Sequence, residues 1–262
     1  MENQNAGLAR IFSPPLAEVV QAECPIHGPF QSRKFSLGGT EIATQCGACF
    51  EDAAQREVQE QERKRQIALN ESVMRNAAIP QRFASRTLQN YNAALPGQKA
   101  ALAVAIEYAA DFLGALSSGR SLIFCGTAGT GKTHLAVGIA KEVMLKGKTA
   151  TFTTAMDAIR SVRETYRKNS EMTERQAIAR FAQADLTIID EVGSQLGTDA
   201  EKVTLFDLIN ARYERERPMI VLSNLTIKEV EQYMGSRAFD RLRENGGQAV
   251  TFTWPSYRRG HE

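Results

Sequence analysis

The segment 126–133 constrains this chain more than any other, because it reads Gly-Thr-Ala-Gly-Thr-Gly-Lys-Thr, the pattern G-x-x-x-x-G-K-T. A short apolar run, 121–125, precedes it, and a helical pattern, 134–146, follows it. This order predicts a strand, a phosphate-binding loop and a helix, with backbone N–H groups and the helix N-terminus surrounding an anion. The predicted phosphate-binding residues are Gly126, Thr127, Ala128, Gly129, Thr130, Gly131, Lys132 and Thr133.

Two loop residues and a later acidic pair supply the groups that nucleotide hydrolysis needs. We expect Lys132 to reach the β- and γ-phosphates of ATP and Thr133 to offer its hydroxyl to Mg²⁺. The apolar run 186–189 ends in Asp190 and Glu191. Asp190 is predicted to bind Mg²⁺ as part of the nucleotide site, and Glu191 to polarise the attacking water.

Strands that alternate with helices from residue 79 to residue 262 predict the fold class. This pattern favours an α/β domain with a parallel sheet flanked by helices, and the nucleotide at the carboxyl ends of the strands. A hydrophobic content of 43% is enough for such a core. Asn224 follows the apolar run 219–222 and is therefore expected at the same sheet edge, where it would position water or sense the γ-phosphate.

The first 50 residues contain a second pattern, C-x₂-H followed by C-x₂-C. Two such pairs, Cys24 with His27 and Cys46 with Cys49, are typical of a tetrahedral zinc site. A small hairpin of 30–35 and 40–44 is predicted between them, and Zn²⁺ would stabilise a segment with almost no core. Four protein ligands leave no open position, which favours a structural role; unrelated thiols and a surface histidine are the alternative.

The predicted domain organisation has three parts: a zinc-binding module at 1–50, a charged linker helix at 51–78 and an ATPase domain at 79–262. The linker is rich in glutamine and charge and has only a thin apolar stripe. A solvated helix and a helix that docks on a partner explain this composition equally well.

Charge and hydropathy exclude some functions. The net charge is +2, so any nucleic-acid surface must be local. Tyr166, Arg167 and Lys168 form one candidate for binding DNA, since an aromatic ring can stack on a base beside cations; a solvated helix end is the alternative. No membrane span and no signal peptide are predicted, which indicates a cytoplasmic protein.

The motifs together resemble those of AAA+ ATPases. Ile-Pro-x-Arg-Phe at 79–83 and Trp-x-Ser-Tyr-Arg at 254–258 resemble the replicative helicase loaders of the DnaC type, with the IstB transposition helpers as close relatives. The resemblance covers residues 77–259. The zinc pattern at the front is similar to that of phage-borne and prophage-borne members.

The resemblance implies further catalytic residues. Asn224 matches the first sensor, and Arg258 matches a second sensor that reaches the γ-phosphate. Arg241, with Arg237 beside it, matches the arginine finger that reaches the ATP of a neighbouring subunit. Self-association into an ATP-bridged oligomer would follow; an exposed basic helix face is the alternative for Arg237 and Arg241.

The resemblance also implies partners, namely a DnaB-like hexameric helicase, held through residues 1–76, and single-stranded DNA. An aromatic residue expected near Ala200 is absent, so the sequence departs from the loader pattern there. The implied cofactors are ATP, Mg²⁺ and Zn²⁺. Three other functions compete with a helicase loader: an ATPase helper of a DNA transposase, a small-molecule kinase that works as a monomer, and a zinc-dependent DNA-binding module with a decaying ATPase.

Overall fold

The computed structural model describes residues 18–37, 40–194 and 197–257. The chain divides into two compact units, Met1–Leu69 and Asn70–Glu262. The division falls inside a long helix, α1, which runs from Gly47 to Asn76. The predicted bounds at 50 and 78 stay predictions.

The first unit contains a three-stranded antiparallel sheet that precedes α1. Its strands are β1 (Glu18–Cys24), β2 (Gly28–Leu37) and β3 (Thr40–Ala43), in that order. The pairing of β2 with β3, with Phe35 opposite Ile42, confirms the predicted hairpin. The sequence did not predict strand β1, which pairs with β2 from Glu18↔Lys34 to Cys24↔Gly28.

The second unit is built on five parallel strands. They are β4 (Leu122–Gly126), β5 (Ala150–Thr154), β6 (Leu186–Asp190), β7 (Met219–Leu222) and β8 (Gln248–Phe252). Their order in the sheet is β5-β6-β7-β4-β8, and each neighbouring pair is parallel. The predicted fold class is confirmed.

Eight helices of this unit are described. They are α2 (Pro96–Ala110), α3 (Phe112–Ser118), α4 (Lys132–Leu145), α5 (Ala155–Arg163), α6 (Glu174–Phe181), α7 (Asp199–Tyr213), α8 (Ile227–Met234) and α9 (Ser236–Arg243). Short 3₁₀ turns lie at Gln81–Phe83, Glu164–Tyr166 and Glu244–Gly246.

The apolar residues in the segment 97–116 recur at helical spacing and favour one helix that ends at Gly119; this expectation is wrong, because the structure has two helices there. The helices α2 and α3 meet at an angle of 76°, because Asp111 leaves helical geometry with φ −94° and ψ 31°. The bend lets Phe112 be fully buried. No single helix in the described parts of the chain is long and apolar enough to cross a membrane.

Residue alternation along the strands distributes the core over both faces of the sheet. Leu122 and Phe124 of β4 pack in one apolar cluster with residues of α2 and α4. Ile123 and Cys125 pack in a second cluster with residues of α5, α7 and α9. A parallel sheet covered on both faces requires such continuous apolar strands. The packing of the sheet also fixes the carboxyl ends of β4, β6 and β7, where the predicted site residues lie.

Candidate nucleotide site and metal cluster

The loop between β4 and α4 needs glycine for both conformation and space. Gly126, Gly129 and Gly131 have φ values of +121°, +78° and +97°. A Cβ atom on Gly126 would lie 2.3 Å from the carbonyl oxygen of Phe252, and one on Gly131 would lie 2.6 Å from Cε2 of Tyr91. Side chains at these two positions would therefore strain or displace the loop.

Aromatic residues from outside the motif hold this loop in place. The indole Nε1 of Trp254 donates to the carbonyl oxygen of Thr130 at 2.9 Å, and the hydroxyl of Tyr91 donates to the same oxygen at 3.2 Å. The backbone N–H of Tyr257 donates to the carbonyl oxygen of Gly129 at 3.0 Å. The loop is thus fixed by the segment before α2 and by the segment after β8.

The predicted catalytic groups converge at this loop. Lys132 is only 6% exposed, and its Nζ donates to the carbonyl oxygens of Gly126 and Thr127, both at 2.8 Å. The hydroxyl of Thr133 donates to Oδ2 of Asp190 at 3.0 Å. Residues from the start of α4 and the end of β6 are therefore in direct contact.

Asp190 has the environment of a cation ligand. Burial raises the pKa of its carboxyl group, while hydrogen bonds from the Glu191 N–H, at 2.7 Å, and from the Thr133 hydroxyl oppose this effect. The negative charge of Glu191 adds to the rise in this pKa. A carboxylate and a hydroxyl are oxygen ligands of the kind that Mg²⁺ accepts, so Asp190 and Thr133 fit that ion.

A cleft of about 340 Å³ opens at this point. Asn224, which directly follows β7 and Ser223, lines it together with Asp190 and Glu191. The structure therefore brings eight predicted residues to one cavity: these three together with Ala128, Gly129, Gly131, Lys132 and Thr133. The other lining residues are Arg82, Phe83, Arg86, Asn90, Tyr91, Asn92, His134 and Tyr257.

Sequence reasoning assigned no role to several of these cleft residues. Arg82 and Tyr257 lie inside the two motifs that carried the family resemblance, so a signal for them existed. Asn90, Tyr91 and Asn92 lie in an irregular segment, where no periodicity marks a residue as functional.

His134 connects this irregular segment to α4. Its Nε2 lies 2.9 Å from the carbonyl oxygen of Thr87 and 2.8 Å from Oδ1 of Asn90, so Nε2 carries the hydrogen. The ring of Tyr91 meets the imidazole edge-on, with centroids 5.2 Å apart. Burial lowers the pKa of His134, and the nearby cations Arg86 and Lys141 lower it further against the opposing effect of the Thr87 carbonyl.

Arg237 and Arg241 are not among the described residues that line this cleft. Arg241 lies over the rings of Phe206 and Tyr213, at 4.9 and 5.0 Å, and donates to Oδ1 of Asn210. Arg237 is exposed one turn earlier on α9. Arg258 lies outside the described residues.

The candidate DNA-binding residues lie at the surface after α5. Tyr166 is 62% exposed, and Arg167 and Lys168 are exposed beside it. The hydroxyl of Tyr166 donates to Oε1 of Glu174 at 2.7 Å, and this bond raises the pKa of Tyr166. The tyrosine thus faces a carboxylate, which would repel a phosphate at that point.

In the first unit, the four predicted zinc ligands form one cluster. Their ligand atoms all lie within 4.8 Å of one another. The Sγ atoms of Cys24 and Cys49 are 3.4 Å apart, and Nδ1 of His27 lies 3.3 Å from Sγ of Cys49 and 3.8 Å from Sγ of Cys46. Ligands about 2.0–2.3 Å from a tetrahedral zinc ion are separated by roughly 3.3–3.8 Å, so the cluster fits Zn²⁺.

Local structure prepares this cluster for a metal. The backbone N–H groups of Ile26 and His27 lower the pKa of the Cys24 thiol to about 6, which favours the thiolate that zinc binds. The hydrogen bond with Cys24 raises the pKa of the Cys49 thiol to about 11. The other ring nitrogen of His27, Nε2, lies 3.3 Å from Oδ2 of Asp52. A carboxylate behind a ligating histidine fixes its orientation, and sequence reasoning missed Asp52 because one acidic residue in a charged helix gives no signal.

The sheet order, the glycine loop after β4 and the Asp-Glu pair at the end of β6 define a P-loop ATPase of the AAA+ class. A family model described as "IstB-like ATP binding protein" matches residues 39–258, and the chain belongs to that family. This membership confirms the predicted resemblance and assigns the domain to ATPases instead of small-molecule kinases.

Two curated relatives and one crystal structure refine the comparison. The chain is 36% identical over 172 residues to the replicative helicase loader DnaC of Escherichia coli strain K12, covering 66% of this chain and 69% of that protein. It is 30% identical over 197 residues to DnaC of Buchnera aphidicola subsp. Baizongia pistaciae, covering 75% and 79%. The crystal structure of the DnaC helicase loader matches with a TM-score of 0.58 at 20% identity, covering 66% of this chain and 99% of that one.

Proposed function

We propose that this protein is an ATP-dependent loader that binds a DnaB-like hexameric helicase and delivers it to single-stranded DNA. The observation that carries the proposal is the cleft in which Lys132, Thr133, Asp190, Glu191 and Asn224 meet, in a chain related to DnaC. The fold supports an ATPase, and the relationship to DnaC supports the coupling of ATP hydrolysis to helicase loading.

The residues of the cleft have separate tasks in hydrolysis. Lys132 exchanges its carbonyl partners for phosphate oxygens. Thr133 and Asp190 would hold Mg²⁺, which would neutralise phosphate charge. Glu191 accepts a proton from water while the water oxygen attacks the γ-phosphorus and the bond to ADP breaks. Asn224 orients that water.

Completion of this site by a second subunit is part of the proposal. Arg241 and Arg237 are not among the described residues that line the cleft of their own chain, which suits residues that act on the ATP of a neighbour. Such an arginine can raise the rate of phosphoryl transfer by roughly 10³ or more. ATP binding would then favour self-association, and hydrolysis would favour release.

The cysteine and histidine cluster is proposed to hold a structural Zn²⁺ ion. A closed set of four ligands, Cys24, His27, Cys46 and Cys49, supports this role. We propose that residues 1–76 bind the helicase, and that Zn²⁺ maintains the fold of this region. Binding of Zn²⁺ would then be a condition for helicase binding, although not for ATP hydrolysis.

One experiment tests the loader function. ATP hydrolysis is measured against protein concentration, with and without single-stranded DNA, and a hexameric replicative helicase is captured with the full chain and with residues 77–262. We expect turnover to rise with concentration and DNA, and helicase capture to need residues 1–76. Turnover that is independent of concentration, together with no helicase capture, would contradict the proposal.

A second candidate is an ATPase helper of a DNA transposase, because the matching family model describes IstB-like proteins. It predicts a preference for duplex DNA and stimulation of a transposase. Binding of duplex and single-stranded oligonucleotides of equal length, each with ATP, separates the two candidates. A single-strand preference with helicase capture supports the loader.

A further inference from the structure

Ser223 lies between β7 and Asn224, and its side chain is 1% exposed. The hydroxyl donates to the carbonyl oxygen of Val192 at 2.6 Å and accepts a hydrogen bond from the N–H of Leu225 at 3.2 Å. Both the donor and an acceptor of this hydroxyl are therefore used. A buried group with both functions engaged fixes the backbone segments that it joins.

One of these segments directly follows Glu191. The N–H of Val192 donates to the carbonyl oxygen of Leu222 at 3.0 Å. The carbonyl oxygen of Val192 accepts from the hydroxyl of Ser223. Val192 is thus held to the end of β7 on both of its backbone polar groups. Glu191 has φ +61°, an unfavourable value for a glutamate, so the neighbouring contacts must maintain its orientation.

The other segment leads to the phosphate-binding loop. The carbonyl oxygen of Leu225 accepts from the N–H of Gly126 at 2.9 Å, and the N–H of Ser223 donates to the carbonyl oxygen of Phe124. A Cβ atom on Gly193 would lie 2.3 Å from Cδ1 of Leu225, so the two segments are also in close contact. Ser223 therefore connects the segment that follows Glu191 with the segment that contains Asn224 and with the start of the phosphate-binding loop.

We infer that Ser223 is a positioning residue for ATP hydrolysis, which holds the Glu191 backbone at a fixed place relative to Asn224. The inference rests on the proposed ATPase function. Loss of the hydroxyl leaves a buried carbonyl without its donor and frees the loop to shift. Small displacements of a base from its water can lower the rate about 10²-fold, whereas phosphate binding by Lys132 is unaffected.

The first test compares Ser223→Ala with Ser223→Cys in the full chain. The thiol is slightly larger than the hydroxyl and a much weaker donor, so the second variant fills the site without restoring the hydrogen bond. We expect kcat to fall about tenfold or more in both, with the affinity for a fluorescent ATP analogue unchanged. Wild-type kcat in either variant would overturn the inference.

Ser121→Ala is the matched control. Ser121 is 4% exposed, and its hydroxyl accepts from the N–H of Met219 at 3.0 Å, at the opposite end of β7. This variant removes a similar buried hydroxyl that directly precedes β4 and contacts the start of β7, away from the cleft. We expect a comparable loss of melting temperature with wild-type kcat; an equal fall in kcat would reduce Ser223 to a structural residue.

A double-variant cycle with Glu191→Gln tests the coupling itself. If Ser223 acts through Glu191, Ser223→Ala causes little further loss in the Glu191→Gln background. Losses that multiply across the two variants would contradict the inference. The proposed function fails separately, namely if the wild-type protein has no turnover at any concentration of protein or DNA.

Discussion

Thr133 Oγ1 lies 3.0 Å from Asp190 Oδ2, so the residues that fit Mg²⁺ bind each other across the cleft. One comes from the first turn of α4 and the other from the last position of β6. The parallel sheet places these two positions side by side, although 57 residues separate them. The contact keeps a buried carboxylate hydrogen-bonded.

This arrangement predicts that Asp190→Asn stabilises the nucleotide-free protein while it abolishes Mg²⁺-dependent ATP hydrolysis. The asparagine oxygen can still accept from the Glu191 N–H, and its amide can donate to the Thr133 hydroxyl, without a buried charge. The raised pKa of Asp190 means that its negative charge, which is present at neutral pH, destabilises the folded protein. Replacing the charged group with a neutral amide should therefore raise the free energy of unfolding by about 1 kcal/mol.

Thermal unfolding at neutral pH without nucleotide checks this prediction. Glu191→Gln is the control, because it also stops hydrolysis and leaves the buried oxygen pair intact. We expect the larger rise in melting temperature for Asp190→Asn, because Glu191→Gln removes only the smaller repulsion between the two carboxylates. A lower melting temperature for Asp190→Asn would mean that Lys132 and the hydrogen bonds stabilise the carboxylate by more than burial destabilises it.

Asp52 should affect zinc binding although it is not a ligand. Its carboxylate lies 3.3 Å from Nε2 of His27, so Asp52→Asn removes the charge that orients the ring. We expect zinc affinity to fall about 10–100-fold. Competition with a chromophoric chelator measures this, and Glu51→Gln, one residue earlier on the same helix, is the control.

Removal of two thiols tests the site itself. Cys46→Ser with Cys49→Ser should lose stoichiometric zinc in metal analysis of the purified protein and also lose helicase capture. ATP hydrolysis should persist. Full zinc content in this double variant would show that the cluster is not the metal site.

We expect Arg241→Ala and Arg237→Ala to differ in their effect on stability and both to lower the rate of ATP hydrolysis. Arg241 contacts two aromatic rings and Asn210, so Arg241→Ala should lower the free energy of unfolding by about 1–2 kcal/mol. Arg237 is exposed, and Arg237→Ala should change it by less than about 0.5 kcal/mol. Chemical denaturation measures both values.

Mixing variants tests whether these arginines act on a neighbour. Arg241→Ala and Lys132→Ala should each be nearly inactive alone, and a mixture should regain activity, because some subunit contacts then combine an intact cleft with an intact arginine. Arg237→Ala with Lys132→Ala is the parallel case. No recovery in either mixture would place the arginines outside the shared site.

His134 should give the protein a specific sensitivity to mild acid. Its pKa is lowered from 6.5 by burial, so the folded state binds fewer protons than the unfolded state between the two values. The free energy of unfolding therefore falls as the pH drops from 6.5 through the folded pKa. Ring NMR signals, assigned with His134→Gln, should titrate below 6.5, and the variant should lose part of the pH dependence; titration at or above 6.5 would contradict this.

The sequence by itself determined the elements that carry a periodic or spaced signal. The glycine loop, the Asp-Glu strand end and the strand–helix alternation indicated the fold, because backbone requirements and burial on both sheet faces restrict residue choice there. The C-x₂-H and C-x₂-C pairs predicted a cluster that the structure assembles. Asn224 was expected near Asp190 because the carboxyl ends of parallel strands lie at the same edge of the sheet.

Only the tertiary structure decided what depends on contacts between distant segments. The bend at Asp111, the support of Thr130 by Tyr91 and Trp254, and the link from Ser223 to Val192 leave no local trace in the sequence. Each joins groups whose separation along the chain does not limit their distance in space. The sequence thus specified which chemistry the chain can perform, and packing decided which additional residues hold that chemistry in place.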